Sequence, residues 1–327
     1  MTSKNIAIFG VPFGLGGKRP GSSLGPSAIR LTNLAGCLSK HGFNVMDKGD
    51  IYYHPEEIAL DKGSGIGYFE QVFRNLMETR NAVGEAIAEN HLPIVVGGDH
   101  SLSIATISSA LEYFGKDLGV LWIDAHADLN TPDTSPSGNL HGMPLGLLLG
   151  YECGMVSGPH KEQWDKLKSA MLHEKSLSFE KVVWIAARDL DAHERKRLLD
   201  RDIEQVITMH ELDRYGLAKM YEHILKVFAY SGVRKLWVSF DVDALDPLVA
   251  PGTGTSVRGG LTYREAHLLA ELLHETLTRK DAPFELVGID IAEINPVLDS
   301  ENETAVMANE WIMSMFGKRI LPMWQKR

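Results

Sequence analysis

Cysteine is nearly absent: Cys37 and Cys153 stand far apart and in no metal-ligand spacing. That excludes a disulfide framework and a thiolate-held cluster, and it makes the reducing cytoplasm the expected compartment. Positive charge is also short, with 33 Lys and Arg against 43 Asp and Glu and a net charge of −10. Phosphate binding needs a basic face, so no nucleic acid is expected as a partner. No apolar run approaches the roughly 20 residues needed to span a bilayer. Residues Met1 to Asn5 lead straight into Ile6-Ala7-Ile8-Phe9, an apolar stretch too short for a signal-peptide core. No membrane partner is expected either. Repeats, low-complexity tracts and Pro/Gly/Ser-rich linkers are missing as well, so residues 1–327 are expected to form one domain. The least regular stretch, about Tyr151 to Ser178, reads as an excursion over the surface.

What the chain does have is alternation. Short apolar runs rich in β-branched residues recur at Ile6–Phe9, Ile94–Val96, Val120–Ile123, Val182–Ala186, Leu236–Phe240 and Leu286–Ile291. Runs that are apolar at successive positions suit strands buried on both faces of a parallel sheet. Between them lie amphipathic helices. Phe69, Val72, Phe73, Leu76, Val83 and Ile87 share one face, as do Leu217, Met220, Tyr221, Ile224, Leu225 and Phe228. Ala266, Leu269, Ala270, Leu273 and Leu277 repeat the spacing, and Pro26 marks a helix start. The expected class is α/β, a three-layer αβα arrangement around a doubly wound, mostly parallel sheet.

Polar chemistry is concentrated where three of the strands end. Gly97-Gly98-Asp99-His100 closes one, Asp124-Ala125-His126-Ala127-Asp128 a second, and Asp241-Val242-Asp243 a third. A period of two would put Asp124, His126 and Asp128 on one side of an extended chain, and likewise Asp241 with Asp243. Ligands of open parallel sheets collect beyond the carboxyl ends of the strands. Four carboxylates gathered there would raise one another's pKa values unless cations neutralised them. Oxygen ligands with two imidazoles and no thiolate suit Mn²⁺ better than structural Zn²⁺. Two such ions, about 3.5–4 Å apart, could hold one water between them and lower its pKa.

These motifs resemble the ureohydrolase family, and within it the arginases, over nearly the whole chain from Gly10-Val11-Pro12-Phe13 to Glu293-Ile294-Asn295-Pro296. The resemblance implies two Mn²⁺ per subunit, one held by His100, Asp124, Asp128 and Asp241. Asp124, His126, Asp241 and Asp243 would hold the other. It implies L-arginine as substrate, hydrolysed to L-ornithine and urea by a hydroxide bridging the metals and oriented by Asp128. Asn130, Ser137 and Asn139 would meet the α-carboxylate. Asp191, and near it Glu194, would meet the α-ammonium. Glu293 would accept from the guanidinium, Thr255 would line the pocket, and His141 would shuttle the proton. A homo-oligomer, trimer or hexamer, is expected on the same ground.

Two departures from the family stand out. The segment between His141 and Asp189 is long, and Gly252 sits where a side chain is expected. The competing reading is a ureohydrolase for agmatine or another guanidino compound, which would share every metal ligand. Gly14-Leu15-Gly16-Gly17 lacks the Gly-Lys-Ser/Thr of a phosphate loop and reads instead as a flexible loop near the site's mouth. Ser137 has no nucleophile elbow. The remaining histidines read as surface or helix-face residues.

Overall fold

A computed structural model describes residues 5–52, 64–172, 175–201, 203–319 and 321. Eight parallel strands form one sheet: β1 (Asn5–Val11), β2 (Asn44–Asp50), β3 (Leu92–Gly97), β4 (Leu118–Ile123), β5 (Val182–Ala187), β6 (Val206–Thr208), β7 (Lys235–Asp241) and β8 (Glu285–Ala292). Their order across the sheet is β2-β1-β3-β8-β7-β4-β5-β6. All six strands expected from the apolar runs are present. The two that the sequence does not announce are the edges. In β2 no residue is fully buried, and β6 buries only Ile207, so neither carries the continuous apolar run of a central strand.

Helices cover both faces, and each face has its own core. On one side, helices Gly25–Leu31, Leu34–Lys40, Leu217–Ser231, Tyr263–Leu277 and Glu303–Met315 pack around Ile94, Leu121, Val238 and Ile289. On the other, helices Phe69–Ala88, Leu102–Phe114 and Pro159–Leu172 pack around Val95, Trp122, Trp184 and Trp237. Alternate residues of each strand feed opposite cores, so a central strand must be apolar throughout.

The Tyr151–Ser178 stretch is not a surface excursion. Its residues Pro159–Leu172 form a helix that buries Trp164, Leu167 and Met171 against the second core, with Trp164 Nε1 donating to Tyr151 O at 2.9 Å. Lys161, Glu162, Asp165, Lys166 and Lys168 turn outward and mask the apolar spacing in the sequence. Among the described residues no helix is long and apolar enough to cross a membrane.

Candidate metal centre and active-site cleft

Four adjacent central strands, β3, β8, β7 and β4, deliver the polar residues at their carboxyl ends. Beyond β3 the chain turns so closely over the segment after β1 that a Cβ at Gly98 would fall 1.5 Å from Phe13 O. Only glycine allows that approach, and the turn leaves His100 fully buried. Beyond β4 the chain does not stay extended. Asp124 Oδ1 accepts from His126 N at 2.7 Å, and Asp128 takes a left-handed backbone with φ 52°. Asp241 ends β7 and accepts from Asp243 N at 2.8 Å, in the first turn of a short 3-10 helix, Val242–Ala244. The side chains therefore converge through tight side-chain-to-backbone turns and not through period-two alternation. Glu293, just past β8, also has a left-handed φ, 65°. Each such non-glycine residue costs on the order of 1–3 kcal/mol, which the surrounding contacts must offset.

His100 Nδ1 lies 3.1 Å from Asp124 Oδ2, 3.2 Å from Asp128 Oδ2 and 3.2 Å from Asp241 Oδ2. His126 Nδ1 lies 3.3 Å from Asp124 Oδ1 and 3.2 Å from Asp243 Oδ2. Asp124 thus turns one oxygen to each imidazole. Two groups able to hold a cation share it: His100 with Asp124 and Asp128, and Asp124 with His126 and Asp243. Asp241 joins the first through His100. The decisive observation on fit is His100 Nδ1, which is fully buried and has no hydrogen-bond partner although three carboxylates surround it. An orphaned nitrogen amid buried oxygens fits the donor set that a divalent cation would take.

The electrostatics agree. Burial first, and then the charge of Asp124, push Asp128 up to about 6. Burial and the charges of Asp243 and Asp124 hold Asp241 well above the usual carboxylate range, and Asp243 is raised as well. Burial pushes Asp124 up, but the two imidazoles of His100 and His126 beside it outweigh that and lower it. Likewise, burial lowers His100, yet its three carboxylate neighbours lift its pKa well above the ordinary value. So many buried like charges are costly unless cations accompany them.

A cleft of about 200 Å³ opens over these groups, lined by His126, Asp128, Asp241, Asn130, Ser137, His141, Asp191, Glu194 and Thr255. His141 Nδ1 meets Glu293 Oε1 at 2.9 Å, and the same oxygen accepts from His100 N at 3.1 Å. Burial lowers the His141 pKa, but Glu293, Asp99 and Asp128 raise it to about 9, above the near-neutral value expected of an unperturbed shuttle. Asp191 caps helix Ala192–Leu199, accepts from Asn130 Nδ2 at 2.6 Å, and shares a capping box with Glu194. Thr255 Oγ1 donates to Asp243 Oδ2 at 2.8 Å. Asn139 lies apart from these, lining a neighbouring cavity of about 580 Å³ whose wall it shares with Ser137.

Several residues escape the sequence reading. Asp99 is buried inside a quoted motif; it accepts from Gly16 N at 2.9 Å, while Gly16 O accepts from His141 N at 3.1 Å. The glycine loop at the cleft mouth is thereby tied at both ends of one residue. Arg188 donates to the carbonyls of Asp243, Ala244, Leu245 and Val257, clamping the loops that carry Asp243 and Thr255. Lys18 is the only Lys or Arg among the residues lining the cleft, and none of the ion pairs among the described residues includes it. Gly252 has a packing reason: a Cβ there would meet Asn295 O at 2.9 Å and Asp299 Cβ at 2.8 Å. Of the other histidines, His54 and His173 lie outside the described residues, and His267 is buried against Ser314 Oγ at 2.8 Å.

The model of the arginase family matches residues 4–317. The arginase of Bacillus subtilis is 40% identical over 320 residues, 97% of this chain and 99% of that protein. The crystal structure of the Bacillus caldovelox arginase superposes with a TM-score of 0.83 at 36% identity, covering 97% of this chain and 99% of that one. The Entamoeba histolytica arginase, solved with L-ornithine, gives 0.80 at 27%, covering 97% and 100%. A shared fold alone does not assign a family, but identity at this level over nearly the full length does: the chain belongs to the arginase family and is a hydrolase.

Proposed function

We propose that this protein hydrolyses the guanidinium group of L-arginine, giving L-ornithine and urea, with two Mn²⁺ ions per subunit. The observation that carries the reading is that one cleft brings a cation-ready carboxylate cluster together with Asn130, Ser137, Asp191 and Glu194. His100, Asp124, Asp128 and Asp241 would hold one ion, and Asp124, His126, Asp241 and Asp243 the other. Bound there, the ions supply Lewis acidity and a water made acidic enough to act as nucleophile near neutral pH.

The chain's own residues do the rest. Glu293 accepts from the planar guanidinium, for which a carboxylate is the matching partner; its Oε1 is engaged by His100 N and His141 Nδ1, leaving Oε2 for substrate. With Nδ1 of His141 committed to Glu293, its Nε2 is the atom that delivers a proton to the departing amine. Asp128 orients the attacking water as acceptor. Asp191, fixed as a helix cap, takes the α-ammonium with Glu194 behind it. Asn130 and Ser137 donate to the α-carboxylate, Asn139 reaches it through water from the neighbouring cavity whose wall it shares with Ser137, and Lys18 adds a positive charge at that end. Thr255 steadies Asp243. The Entamoeba relative's capture of L-ornithine favours an amino acid product.

Urea release from arginine and from agmatine, measured after Mn²⁺ loading and again after chelation, tests this directly. Arginine should be strongly preferred and chelation should abolish turnover. Equal rates on the two amines would remove the substrate assignment and favour the agmatine reading.

A further inference from the structure

A neutral imidazole carries one proton, and which nitrogen holds it decides which one can bind a cation. For His100 that decision is made in the middle of the sheet, at Ser239, 139 residues away in sequence, and at Asp290 beyond it. Asp290, in β8, is fully buried and stands beside Ser239 in the register of β7 and β8. Its Oδ1 accepts from Ser239 Oγ at 2.5 Å and Ser103 Oγ at 2.9 Å. Its Oδ2 accepts from Thr106 Oγ1 at 2.6 Å and Trp237 Nε1 at 2.6 Å.

A carboxylate only accepts, and a hydroxyl has a single proton to give. Ser239 and Ser103 have each given theirs to Asp290, so neither has one left for His100. The Ser239 oxygen, 3.0 Å from His100 Nε2, can then only accept from that nitrogen. In the neutral ring Nε2 then holds the proton, and Nδ1 offers its lone pair among Asp124, Asp128 and Asp241. Trp122 removes the remaining freedom: its ring stacks on the imidazole at 4.2 Å and 14°, and its Nε1 donates to Asp124 Oδ2 at 3.0 Å.

We infer that Asp290, acting through Ser239, is a positioning residue that holds His100 in the tautomer able to ligate a divalent cation. It touches neither substrate nor cation. The inference rests on reading the cleft as a metal centre, and partners at this remove tune metal affinity in other sites roughly 10–100-fold.

The test titrates metal-free protein with Mn²⁺, reading free ion by electron paramagnetic resonance, with folding followed by circular dichroism. Ser239→Ala, which takes the acceptor from Nε2, should weaken one Mn²⁺ equivalent roughly 10–100-fold and leave the other unchanged. Asp290→Asn should do the same; if it fails to fold, Ser239→Ala decides alone. Trp237→Phe removes a donor from Asp290 without touching the relay, so it should lower the Tm and keep the wild-type affinities. A folded Ser239→Ala with both affinities intact overturns the inference. So does an equal loss in Trp237→Phe, which would make the network merely structural. Wild-type protein that binds no Mn²⁺ at all would remove the metal reading along with it.

Discussion

His141 and Glu293, 152 residues apart in the chain, meet at 2.9 Å between Nδ1 and Oε1 above the carboxylate cluster. The bond raises the histidine's pKa to about 9 in the metal-free protein and lowers that of the glutamate, both against the pull of burial. A histidine whose folded-state pKa is raised contributes stability that is complete below its unfolded value, about 6.5, and is lost as pH rises through the folded value. Denaturation of metal-free protein should therefore show stability falling between about pH 6.5 and about pH 9 and levelling off above that, and His141→Asn should erase that slope. In the loaded enzyme the same substitution should lower kcat by about 10²–10⁴-fold, the usual scale of general acid–base catalysis. Its metal content should match wild type; metal loss in His141→Asn would contradict a role confined to the proton.

Asp191 caps a helix and, in the proposed reading, also takes the substrate ammonium, two roles that substitution can separate. As N-cap of helix Ala192–Leu199 it accepts from His193 N at 2.7 Å and Glu194 N at 3.0 Å. Asparagine caps a helix about as well as aspartate but carries no charge. Asp191→Asn should keep the Tm and raise the arginine KM, whereas Asp191→Ala should raise the KM and also cost about 1 kcal/mol of stability. An unchanged KM in both variants would count against the ammonium contact.

Lys18 lines a cleft whose wall also carries Asp128, Asp189, Asp191, Glu194 and Asp241. Neutral donors alone can orient a substrate carboxylate there but cannot offset that field. An exposed ion pair contributes up to about 1 kcal/mol, so Lys18→Met should raise the arginine KM only about two- to fivefold, with kcat held. Agmatine has no carboxylate, and its KM should stay the same or fall. Steady-state kinetics on both substrates decide it: parallel increases would show that Lys18 supports the loop and not the substrate.

The sequence makes the cation-ready side chains legible and the way they meet illegible. Asp124, His126, Asp128, Asp241 and Asp243 stand out because acids and imidazoles follow buried apolar strands. Their convergence needs bends at 124–126 and a left-handed Asp128, and no spacing rule reports a bend. The central strands announce themselves by apolar runs, while β2 and β6, half solvated, do not. Ser239 and Asp290 are hidden for a different reason. In sequence, a serine within a strand is a small core residue and an aspartate at Gly288-Ile289-Asp290 is one acid among many. Only the register of β7 on β8 shows that they touch. Arg188 is likewise silent, because its partners are carbonyls that every residue possesses.

The sheet order has a bearing on how the molecule is assembled. β8 lies between β3 and β7 although it is made after both. A growing chain on the ribosome can lay down every ligand up to Asp243 and still have a seam down the middle, with neither Asp290 nor Glu293 yet synthesised. The two halves can close only when the penultimate stretch emerges and slots between them. Ion capture should therefore be a late event of biosynthesis, and a release-arrested fragment stopping before residue 285 should leave manganese in the medium.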